Sequence, residues 1–153
     1  MGGSTVAVTL PHLPPQLATH FDVGGTPNAW SSHAGYVVVL TVVGFLLPLG
    51  IVRMVGWFGA VRPELLNVPY REYWLDPSRR AEGMRRIEGH MWWLACLMAA
   101  LVVGIHLLLV QAHSTTPPHL RTGPFYSLLA AFLAGLATWI AAFYALLRPP
   151  GTR

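Results

Sequence analysis

Three long apolar runs constrain this chain more than any other feature. They cover about residues 36–58, 91–111 and 125–147. A helix of about 20 residues crosses a hydrocarbon core about 30 Å thick, so each run is long enough to span a membrane. The fold class expected is therefore an all-α membrane protein with three transmembrane helices. Around the spans lie an extracytoplasmic segment at 1–35, a cytoplasmic basic loop and helix at 59–90, an outer loop at 112–124 and a cytoplasmic tail at 148–153. Composition agrees, with 54% apolar and only 10% charged residues; soluble domains carry about a quarter charged residues.

The arginines orient the spans. Lysine is absent, and seven of the ten arginines fall between Arg53 and Arg86. Only Arg121 lies in the second loop, and Arg148 and Arg153 end the chain. Basic side chains stay on the cytoplasmic face, which predicts an outer N-terminus and an inner C-terminus. The 1–35 segment, free of Lys and Arg, is then expected to cross without a cleavable signal. Aromatic residues fit the boundaries. Trp30 and Tyr36 mark the outer end of the first span, and Trp57 and Phe58 its inner end. Trp92 and Trp93 open the second span, with Phe125, Tyr126, Phe143 and Tyr144 near the ends of the third. These are positions where amphipathic rings are favoured. The pI of 9.8 follows from this arginine excess, and no basic face on a soluble fold points to nucleic acid.

Within the spans, Pro48 predicts a kink in the first. Ala130, Ala134 and Thr138 repeat at four-residue spacing in the third, as do Ala131 and Gly135, and small residues so spaced let helices approach closely in lipid. The bland alternative is that alanine is common here. Cys96, the one cysteine, is expected to be a buried, inert packing residue. In the basic loop, Asp76-Pro77 reads as a capped helix start. The helix should run on into the second span with a Glu82–Arg86 pair at i,i+4, and Gly83 and Gly89 are places where it could bend.

Two segments carry a family pattern. The first runs Leu13-Pro14-Pro15, then His20-Phe21-Asp22, Gly24-Gly25, Pro27-Asn28 and Trp30 ahead of the first span. Physically it is a turn-rich segment whose glycines permit positive φ. The second runs Asn67-Val68-Pro69-Tyr70-Arg71-Glu72-Tyr73-Trp74-Leu75-Asp76-Pro77-Ser78-Arg79-Arg80-Ala81-Glu82. Together they resemble the bacterial membrane proteins grouped as domain of unknown function 1648 (DUF1648), over about Leu13 to Leu147. One subgroup usually has Asn where Tyr70 stands here. Family members generally carry a membrane helix before the Leu-Pro segment, whereas only about a dozen residues precede it in this sequence. The resemblance implies either loss of that helix or a start placed too far downstream. It carries no general biochemical activity, although some longer relatives act in toxin immunity and signal sensing.

Histidine makes the best case for a chemical site. His12, His20, His33, His113 and His119 would lie outside, and His106 in the outer half of the second span. His106 and His113 are seven apart and share a helix face. An ionisable residue within a span is costly, and imidazole suits Zn, Cu or haem iron. Against that, no compact ligand spacing is present, and a neutral His106 bonded to a neighbouring helix satisfies the same burial cost. No metal or cofactor is therefore assigned, with His106, His113 and His20 as candidate ligands. Catalysis is not expected either, because nothing completes a constellation around His20 and Asp22. The leading function is a non-enzymatic accessory subunit of a membrane complex or an immunity/sensor-type partner. Its expected partners are membrane lipids and other membrane subunits. The alternative is a metal- or haem-binding electron-transfer protein. A channel is weaker still, since the spans hold little polarity beyond His106. The cytoplasmic arginines could also engage anionic lipid head groups.

Overall fold

Hydrocarbon offers the backbone no hydrogen-bonding partner, so each apolar run satisfies its N–H and C=O groups within its own helix. The computed structural model describes residues 13–151; His12 and the rest of the first twelve residues lie outside them. In chain order the elements are β1 (Gln16–Phe21), β2 (Pro27–Ser32), α1 (His33–Val61), α2 (Arg71–Trp74), α3 (Arg80–Ala112) and α4 (Thr122–Leu146). Helices α1, α3 and α4 are each long and apolar enough to span. The chain is a multi-pass membrane protein, mostly helical, with α3 packed against both α1 and α4.

Each span begins or ends close to where its apolar run does, with differences that have local causes. α1 starts at His33 because the Ser32 hydroxyl accepts the Gly35 N–H at 3.1 Å, a side-chain cap for a free helix-end donor. Pro48 has no N–H to offer the carbonyl four residues back, at Gly44. The structure absorbs this in a widened π-type turn at Val42–Leu46, a common way of fitting a disruption into a continuing helix. Asp76 does not cap a helix at Pro77. Its Oδ1 accepts the Ser78 N–H at 2.9 Å and its carbonyl accepts the N–H groups of Arg79 and Arg80, so a turn leads in and α3 begins at Arg80. From there α3 continues unbroken for 33 residues past Gly83 and Gly89.

The N-terminal segment departs most from expectation. Its turn-rich residues form a two-stranded antiparallel hairpin, pairing Gln16 with Ser32 and Ala18 with Trp30 before the register shifts toward His20–Ala29 and Phe21–Pro27. Burial gathers at the two ends of the bundle. At one end Leu13, Leu17, Tyr36, Leu40 and Leu109 cluster, which fastens the hairpin to α1 and α3. At the other, Trp74, Ile87, Met91 and Leu147 join Val52 and Leu66. α4 buries none of its residues. Cys96, expected in the core, is exposed on the outer surface of α3; an apolar run shows no preference between a neighbouring helix and lipid, so sequence does not tell which face turns inward.

Candidate functional site

The hairpin is held by the face of α3 that carries His106 and His113. His106 is fully buried, and its Nδ1 hydrogen-bonds the Tyr36 hydroxyl at 2.7 Å, with the rings 6.0 Å apart. Two turns further, the Ala18 N–H donates to His113 Nε2 at 3.1 Å. A nitrogen that accepts carries no proton, so His113 is the neutral Nδ1–H tautomer, and that N–H donates to the Leu109 carbonyl at 2.9 Å. Both ring nitrogens of His113 are thereby committed to the fold. His20 is exposed at the far end of β1. Among the described residues, no three His, Cys, Asp or Glu side chains come together as a metal-binding group. The helical spacing correctly put His106 and His113 on one face. What that face does is join α3 to α1 and to the hairpin.

The family-pattern residues of the first segment build the hairpin's turn. Asp22 Oδ1 accepts the N–H groups of Gly24 and Thr26, both at 2.9 Å. Gly25 has φ of 88° and its carbonyl accepts the Leu120 N–H at 2.9 Å. A Cβ there would collide with the Leu120 carbonyl oxygen, so both the positive φ and the close approach require glycine. Asn28 and Trp30 stand exposed on β2. Thr19, His20, Phe21 and Asp22 border a cavity of about 290 Å³ whose other walls are the adjoining ends of α3 and α4.

At the opposite end, the second segment forms a latch on the last turn of α4. The buried Trp74 indole donates its Nε1–H to the Leu147 carbonyl. The Arg86 guanidinium lies 4.8 Å from the Trp74 ring, and its Nη1 reaches the Leu146 carbonyl at 3.3 Å. The final carbonyls of a helix lack intrahelical donors and carry partial negative charge, so an indole N–H and a guanidinium suit them. Glu82 holds Arg86 in place through a 2.6 Å contact to Nη2. Gly83 lets α3 pass close to this residue; a Cβ there would stand 2.8 Å from the Trp74 carbonyl oxygen.

Around the latch, Arg79 lies over the Tyr73 ring at 4.3 Å, and Arg71 Nη2 donates to the Glu64 carbonyl at 2.8 Å. Asn67 is exposed and Pro69 half-buried. Arg80 has a buried Nε with no hydrogen-bond partner among the described residues. Hydrogen bonds from the hydroxyl and amide of Ser78 hold the Asp76 carboxyl below its ordinary range. Glu64 is lowered by a hydrogen bond from its own backbone N–H and by Arg62. Tyr70, at the position where the resembling subgroup has Asn, adopts left-handed backbone with φ of 53°. Asparagine tolerates that conformation better than tyrosine does.

Sequence reasoning missed His90. Its Nε2–H donates to the Trp139 carbonyl at 3.0 Å, and the Trp139 indole N–H donates back to the His90 carbonyl at 3.0 Å. The rings of His90, Trp139 and Phe143 stack, with His90–Trp139 centroids 4.8 Å apart. The i,i+4 pair Trp139/Phe143 was the available signal for an aromatic site facing α3.

Residues 4–49 match the family model described as Domain of unknown function (DUF1648). The described part of that match is the hairpin with the first half of α1; the Asn67–Glu82 segment lies beyond it. No curated protein and no solved structure matches the chain.

Proposed function

We propose that the chain is a non-enzymatic protein of the bacterial cytoplasmic membrane that works by contact, as an accessory subunit of a larger membrane complex. A role as an immunity or sensor partner is the variant of the same reading. The observation that carries it is the state of α4: none of its 25 residues is buried within the chain. Along its surface Ala130, Ala134 and Thr138 are exposed at four-residue spacing. Between helices in lipid, association depends on close packing, which small residues permit. The Thr138 hydroxyl is returned to its own helix at the Ala134 carbonyl, 2.8 Å away, so this stripe presents no unsatisfied polar group to a partner. Such a surface suits a second membrane helix.

The arginine distribution supports an outer hairpin and an inner Trp74 latch. Among the described residues, two of those arginines are ion-paired, Arg62 with Glu64 and Arg86 with Glu82. Arg85, exposed on α3, suits the lipid head groups of the inner leaflet. The test is purification from the source membrane in mild detergent, with identification of co-purifying proteins. The expected result is a stoichiometric membrane partner that is lost when Ala130 and Ala134 are replaced by leucine. Recovery of monomers without any stoichiometric companion would overturn the reading.

A further inference from the structure

The cavity beside the hairpin turn joins three surfaces of different chemistry. Its side along α3 is aliphatic, formed by Ile105, Leu108 and Leu109. Ile105 lies seven residues, about 10 Å of helix, inside the end of α3 at Ala112. Three aromatic rings, those of Phe21, Phe125 and Tyr126, line the walls. Among the described residues, Asp22 is the only acidic or basic side chain on the lining apart from His20. The volume of about 290 Å³ lies just below the range for drug-sized sites, roughly 300–1,000 Å³.

Asp22 is exposed on the hairpin turn and held there by one carboxylate oxygen. Its Oδ1 is taken by the Gly24 and Thr26 N–H groups, while Oδ2 has no hydrogen-bond partner among the described residues. A carboxylate pinned by one oxygen beside several aromatic rings is an environment that attracts an organic cation, since ring faces and carboxylate both favour positive charge. An anionic head would meet Asp22 with no lysine or arginine on the lining to offset it. The aliphatic floor, continuing toward the membrane interior, suits a hydrocarbon tail. We propose that this cavity binds an alkylammonium amphiphile. Its cationic head rests among Phe21, Asp22 and Tyr126, and its tail lies along Ile105 and Leu108.

This inference is independent of the contact role of α4 and is tested on the full chain in maltoside micelles. Decyltrimethylammonium and decyl sulfate are each titrated by calorimetry, with tetramethylammonium as the tailless probe. Decyltrimethylammonium is expected to bind saturably at one site, at least about tenfold tighter than either comparison. D22N removes the charge and I105W fills the tail end, and each should weaken that binding by about tenfold or more. Because D22N also alters the hairpin turn, its helical signal and melting are recorded. Y126L, which leaves the turn intact, should weaken binding in the same direction. Equal affinity for decyl sulfate would overturn the proposal, as would wild-type affinity in both I105W and Y126L. Either result would mean that the amphiphile only partitions into the micelle.

Discussion

Replacement of Trp74 tests the latch between the α2–α3 region and the end of α4. The side chain is 2% exposed and clusters with Ile87 and the fully buried Leu147. A tryptophan that buries about 200 Å² contributes about 5 kcal/mol at roughly 25 cal/mol per Å², and measured Trp-to-Ala losses in cores run about 3–5 kcal/mol. Trp74→Ala should therefore cost about 4 kcal/mol, including the loss of the ring under Arg86. Trp74→Phe keeps most of the apolar contact but removes the Nε1–H, leaving the Leu147 carbonyl without that donor. Its cost should be about 1–3 kcal/mol. Trp93, at 72% exposed, provides the control, and Trp93→Ala should stay within about 0.5 kcal/mol of the unmodified chain. The assay is reversible unfolding in mixed micelles of rising denaturing-detergent fraction, followed by circular dichroism. A Trp74→Ala loss below about 1 kcal/mol would refute the latch, since neither packing nor the carbonyl contact could then hold α4. If Trp74→Phe cost as much as Trp74→Ala, the hydrogen bond rather than the packing would be the dominant contact.

Two further predictions follow from the same reasoning. Tyr70→Asn should stabilise the protein by about 0.5–1 kcal/mol, because φ of 53° is costly for tyrosine and tolerated by asparagine. An unchanged or lowered unfolding midpoint would show that the exposed Tyr70 side chain offsets the strain. Tyr36→Phe removes the 2.7 Å contact to His106 and should cost about 0.6–1.7 kcal/mol, the range found for hydrogen bonds between membrane helices. The same detergent titration reads it, and a loss above about 3 kcal/mol would mean that Tyr36 does more than bridge α1 and α3.

Much of the candidate site could be read in part from the chain. The seven-residue interval between His106 and His113 placed both on one face of α3, because helical periodicity is a local property. Their partners could not be read, since Tyr36 and Ala18 are 70 and 95 residues away. The Asp22, Gly24 and Gly25 cluster signalled a tight turn. It did not signal that strands flank the turn, because the β1 sequence Gln16–Phe21 carries only a weak strand pattern and gains its order by packing Leu17 against α1 and α3. Trp74 stood out as part of the Asn67–Glu82 segment that resembles a family pattern. Its role at the end of α4 depends on Leu147, 73 residues further on.

By itself, the sequence determined the three spans, their approximate limits and the concentration of basic charge at one end. Those follow from local quantities: the length of an apolar run against the thickness of hydrocarbon, and the position of arginines along the chain. Only the tertiary structure decided which faces meet. In lipid an apolar side chain gains little by choosing a helix over an acyl chain, so hydrophobicity does not encode the packing. Specific contacts decide it instead: His106 with Tyr36, His113 with the hairpin backbone, Trp74 with the end of α4. They also leave α4 with no buried residue of its own.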